Sequence, residues 1–189
     1  IPLRERLPMS DEITRKTCAF EVCCRCKSIC CQDAKPPLTL KRQKIIEDYL
    51  EKQKIHIENL FSHEQYSFPA VDELGFCLFY DKKTGKCLVH PVKPETCRAG
   101  PVTFDINCQT GKVEWYLKKP EICTLAEMLY ENRDLFREHF KVGREEILRL
   151  ICALDAEALR AILKIEEPQT FKIGEDDLPK GVLDKLGLS

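Results

Sequence analysis

The chain has 189 residues, 43% of them hydrophobic and 32% charged, with a formal net charge of -1 and a pI of about 6.5. These totals fit a single folded domain with arms and exclude a disordered chain. They give no support to general nucleic-acid binding, and no apolar run approaches the ~20 residues of a membrane span.

Residues 1–17 read as an arm, broken by Pro2 and Pro8 and carrying alternating charges. Six of the twelve cysteines follow within CAFEVCCRCKSICC, Cys18 to Cys31. Such a run, interleaved with Glu21, Arg25 and Lys27, makes a poor apolar core. Thiolates are soft ligands for zinc and iron–sulfur clusters, so the spacing points to metal. A disulfide scaffold would also use an even number of cysteines, but such scaffolds are short and loop-rich. The long charged helical segments here favour a reducing, cytoplasmic setting.

Pro36-Pro37 closes the cysteine stretch, and Thr39 is placed to cap a helix over about 40–61. Leu40, Ile45, Ile46, Tyr49, Leu50, Ile57, Leu60 and Phe61 form its apolar face, with Lys and Glu opposite. His56 and His63 are expected to be solvated or packed. Two short β-like runs, 76–80 and 86–90, flank a turn over Asp81–Gly85. They carry Cys77 and Cys87, which antiparallel pairing would bring close. Cys97 follows in a proline-stiffened loop, and Arg98 beside it is suited to donating N–H groups to a thiolate. A second hairpin is predicted over 102–106 and 112–117, with Trp115 and Tyr116 packing on it.

After Pro120 the chain turns helical. Leu125, Met128, Leu129, Phe136 and Phe140 form one face, ended near Gly143. A further helical region follows, with Asp155 as a cap within it and Cys152 on its apolar stripe. Residues 166–189, with Pro168 and Pro179, read as an extended tail with a short helix at most.

Cys23-x2-Cys26-x3-Cys30-Cys31, then Gly75-Phe76-Cys77-Leu78-Phe79-Tyr80, Gly85-Lys86-Cys87-Leu88-Val89-His90 and Lys93-Pro94-x2-Cys97-Arg98, resemble the YkgJ-type cysteine-cluster family with its CxxCxxCC signature. The resemblance spans about residues 20–125. It implies zinc or iron chelation by eight cysteines, here Cys23, Cys26, Cys30, Cys31, Cys77, Cys87, Cys97 and Cys123. Cys18, Cys24, Cys108 and Cys152 fall outside the pattern. The sequence departs from that pattern in one extra residue before the vicinal pair and in Lys93-Pro94 where Arg-Pro is usual. Ala99-Gly100-Pro101 stands where Phe-Pro often follows.

The expected fold is α+β: a cysteine-rich metal-binding loop (within a domain over 18–165) and short β-hairpins, packed with a C-terminal helical region. The expected cofactor is an iron–sulfur cluster, 4Fe–4S favoured over zinc because the thiols come from distant segments and not from compact knuckles. Cys30 and Cys31, pointing differently, would serve different sites or different irons. The expected role is a redox or accessory module acting with a protein or redox partner, with neither membrane nor nucleic acid involved. Two alternatives remain. One is a protein-modifying enzyme similar to the cluster-containing lysine N-methylases, although no catalytic residue or methyl-donor site is evident. The other is an interaction adaptor held together by structural zinc.

Overall fold

The structure, a computed structural model, describes residues 22–23, 30–166 and 169–188. The predicted arm over 1–17, and Cys18, Cys24 and Cys26, lie outside the described residues. The remainder is an α+β domain with two packing centres.

The first centre begins at Leu38 and helix α1, Leu40–Lys52. Thr39 caps α1, its hydroxyl accepting from the Arg42 N–H at 3.1 Å. The helix is shorter than its periodicity suggested, because Lys54 and Asn59 adopt positive φ and the chain turns into a small hairpin. Strands β1 (Phe61–His63) and β2 (Ser67–Pro69) form that hairpin. Strands β3 (Tyr80–Asp81) and β4 (Lys86–Cys87) form another. Ile46, Leu50, Phe68, Phe79 and Val89 close the core, with Phe61 edge-on to Phe79 at 6.0 Å. A 3-10 turn over His90–Val92 then leads into the five-residue helix α2, Glu95–Ala99.

The second centre is a three-stranded antiparallel sheet covered by helices. Strands β5 (Val102–Asn107) and β6 (Lys112–Lys118) pair as the sequence predicts. Val102, Ile106, Val113, Trp115 and Leu117 alternate inward. Helices α3 (Thr124–Glu131), α4 (Arg133–Ala153) and α5 (Ala156–Ile162) pack on that face through Leu125, Leu129, Ile147, Ile151 and Leu159. Trp115 meets Phe140 edge-on at 5.8 Å. Asp155 caps α5 as expected, accepting from the Ala158 N–H at 2.8 Å.

The tail differs from the extended arm expected of it. Residues Thr170–Asp177 form β7, which pairs antiparallel with β6 and completes the sheet. Lys180–Leu186 form α6, which docks through Val182. Trp115 Nε1 donates to Asp176 at 2.7 Å, so the tail supplies the partner that a buried indole needs. Gly143 also departs from expectation, since α4 runs through it to Ala153. A Cβ at Gly143 would lie 3.1 Å from Ala99 Cα, so this glycine serves close helix packing and not termination.

Candidate metal centre

Three separated segments carry the thiols, and Cys77 and Cys87 pack against the first centre. The first segment is the end of the cysteine stretch. The Cys77 N–H donates to the Cys31 carbonyl at 2.8 Å, and the Asp33 N–H donates to the Gly75 carbonyl at 2.9 Å. With the Gln32–Phe76 bridge, these bonds strap Cys30 and Cys31 against the segment that carries Cys77. Gly75 has φ of 80°, and a Cβ there would collide with the Asp33 carboxylate. This is a position that requires glycine.

The second segment is the β3–β4 hairpin. Its turn is fastened by Asp81, which accepts from the Lys83 N–H at 2.9 Å and the Thr84 hydroxyl at 2.6 Å. Cys87 stands opposite Tyr80 and not opposite Cys77. The ladder is only two residues long, and Cys77 sits a turn earlier, with the Tyr80 N–H donating to its carbonyl at 2.8 Å. The third segment is α2, with Cys97 as its middle residue.

The electrostatics of these thiols place them in one another's field. Cys77 is pushed up to about 11, first by burial and then by the charges of Cys87 and Cys30. Desolvation pushes Cys97 up as well; Lys93 opposes this, while Cys30, Cys87 and Cys77 add to it. The Cys31 S–H donates to the Cys30 sulfur, lowering Cys30 to about 6, with Lys118 and Lys93 helping. The same hydrogen bond, with desolvation, raises Cys31. The first proton therefore leaves this pair easily and the second does not. Five sulfurs whose anionic forms oppose one another fit a soft, multivalent cation, which replaces the protons and removes the repulsion. Among the described residues, no group of three or more His, Cys, Asp or Glu side chains is arranged to hold a metal ion as it stands.

Of the eight cysteines expected, Cys30, Cys31, Cys77, Cys87 and Cys97 lie within reach of one another's charge. Cys26 lies outside the described residues. Cys23 is helical and exposed, and Val22 beside it packs on the same apolar core as Cys123. Cys123 immediately precedes α3, its carbonyl accepting from the Glu127 N–H at 3.1 Å. Cys108 is exposed at the β5–β6 turn, and Cys152 is exposed on α4 and not in the core predicted for it.

Arg98, beside Cys97, has oxygen partners as well. Its Nε meets Glu146 Oε1 at 3.2 Å and its NH1 donates to the Pro91 carbonyl at 3.4 Å, so among the described residues the guanidinium engages these two oxygens. Sequence reasoning missed the groups that grip α2: Thr39, Arg42, His139 and Glu146. The one signal in the sequence was Glu95, a carboxylate two residues before Cys97 in a proline-stiffened approach. His139 Nε2–H donates to the Ala99 and Gly100 carbonyls, each at 3.0 Å.

Thiols carried on three separated segments of an α+β fold are the mark of a cysteine-cluster domain. The sequence profile of the CxxCxxCC family, described as "Putative zinc- or iron-chelating domain", matches residues 22–143. The chain belongs to that family, and the matched span contains all eight cysteines named above. No curated protein and no solved structure matches the chain.

Proposed function

We propose that these thiolates hold an iron–sulfur cluster, 4Fe–4S favoured over zinc, and that the protein serves as a redox or accessory module for a protein partner. The observation that carries this reading is the family match over residues 22–143, and the mutual charge influence of Cys30, Cys31, Cys77, Cys87 and Cys97, from three segments far apart in sequence, supports it. Hard cations take oxygen ligands, so a set of sulfurs selects iron–sulfur or zinc. A cluster bound here would supply one-electron redox chemistry. The residues of the chain would bind and orient it: Cys77 and Cys87 from the hairpin, Cys97 from α2, and Cys30 and Cys31 from the strap. Lys93 and Lys118 would offset the negative charge of a thiolate site.

Structural zinc is the second reading, supported by the same donor set and by the family description. Metal and sulfide analysis of anaerobically purified protein, with a visible spectrum, separates the two. Iron, sulfide and a broad absorption that bleaches on reduction are expected. Colourless protein containing zinc would replace the redox reading with the structural one. Protein that takes up neither metal would end both.

A further inference from the structure

Glu146 lies buried on α4, far in sequence from every thiol of the site, yet its carboxylate meets three guanidinium groups. Oε2 lies 2.5 Å from Arg42 and 3.1 Å from Arg149, and Oε1 lies 3.2 Å from Arg98. Arg42 also faces Glu95, Nε to Oε1 at 3.6 Å. Glu95 in turn accepts the Thr39 hydroxyl at 2.7 Å and the Thr39 N–H at 3.4 Å. Glu95 and Arg98 both belong to α2 and flank Cys97.

A five-residue helix does not sustain itself, so its placement comes from outside. Here the body of the protein holds it at several points. The charge network ties Glu95 and Arg98, Gly143 closes against Ala99, and His139 takes the carbonyls of Ala99 at its end and of Gly100 just beyond. Buried ion pairs are weak devices for stability, since apolar side chains of similar volume do as well. What the pairs supply over apolar packing is direction: the guanidinium forks accept few orientations of the carboxylates they meet.

We propose that Glu146 is a positioning residue for the metal centre. Through Arg98 and the Arg42–Glu95 pair, it presets the Cys97 sulfur for the site formed with Cys30, Cys77 and Cys87. This inference rests on the metal-binding reading above.

The test compares wild-type protein with Glu146→Gln and with the milder Arg98→Met, whose side chain is 35% exposed. Two readouts are taken: zinc affinity by chelator competition, and the alkylation rate of each cysteine in metal-free, reduced protein by peptide mass. Glu146→Gln should weaken zinc by ~10–100-fold, as loss of a group supporting a ligand typically does. Arg98→Met should weaken it less, and in both variants Cys97 should alkylate faster while Cys108 and Cys152 keep their wild-type rates. Unchanged zinc affinity and unchanged Cys97 alkylation in a folded variant would overturn the proposal. So would a uniform rise at all cysteines, which marks general loosening. If Glu146→Gln does not fold, Arg98→Met alone decides. Wild-type protein without zinc affinity defeats the zinc reading of the site, while the selectivity of Cys97 alkylation still decides the positioning.

Discussion

The two packing centres are built on different terms. Around Trp115, regular structure does the work: three paired strands of six to eight residues and a 21-residue helix satisfy most backbone groups within their own elements. Around Phe79, the strands are two or three residues long, and the backbone is fastened by turns, caps and single bridges. The thiols lie on the second kind of structure. Ligands held on short turns can approach from several directions, which a regular sheet does not allow. The consequence is low intrinsic stability, since few ladder bonds protect the segments that carry them. The body compensates at the boundary, where α4 grips α2 through Glu146, Gly143 and His139.

The largest expected effect is at that boundary. Arg42→Met leaves Glu95 and Glu146 buried with one fewer cation, at a cost of about 3–5 kcal/mol. It should also uncouple the centres. Trp115 is the sole tryptophan and reports on the body alone. Urea unfolding followed by Trp fluorescence should then lag behind unfolding followed by circular dichroism. Coincident transitions in the variant would break the contrast between the centres.

Removing metal with a chelator under reducing conditions comes next. Hydrogen exchange should accelerate over residues 30–39 and 75–98 while β5, β6 and β7 stay protected. Equal acceleration in both regions would mean that the metal supports the whole fold.

Acid should act at the same boundary. Burial holds His90 down to about 4 and lowers His139 below the ordinary 6.5 of an imidazole. Unfolded, both take up protons near 6.5, so the stability they protect is complete above that pH. It declines as pH falls from about 6.5 toward 4. The urea midpoint should drop over this window, and His139→Gln should flatten part of the drop. A midpoint that holds constant down to pH 4 in the wild type would refute this assignment.

Gly75→Ala should cost about 1–2 kcal/mol from its left-handed φ alone, to which the collision with the Asp33 carboxylate adds, with its effect confined to the strap. Faster exchange at the Cys77 amide, without change at α4, is the expected sign. The smallest effect belongs to the body: Asp155→Ala removes a cap worth about 1 kcal/mol and should leave the thiols untouched. Altered cysteine alkylation in that variant would show the two regions to be less separate than described.

Much of the body was legible in the sequence because its signals are local. Strict alternation over 102–106 and 112–117 with a glycine-containing turn specifies a hairpin, and Thr39 and Asp155 mark helix starts by bonding a few residues ahead. Cysteine type and spacing likewise pointed to soft-metal chemistry and to the family. Other features depended on partners that spacing does not reveal. Leu40 and Ile45 belong to the predicted apolar face of α1, yet they are 77% and 36% exposed, while Arg42 and Gln43 are buried. Helical periodicity cannot anticipate that Arg42 turns inward to reach carboxylates on α2 and α4. Nor could it show that Gly143 faces Ala99, that β7 would pair with β6, or that Cys87 would stand opposite Tyr80.

By itself, then, the sequence determined the α+β class, the body hairpin, the helix caps and the chemistry of the donor atoms, since each follows from residue type and short-range spacing. Only the tertiary structure decided what grips the helix that carries Cys97 and which strand completes the sheet. Those outcomes depend on contacts between segments distant in the chain, whose pairing is set by how the whole molecule closes.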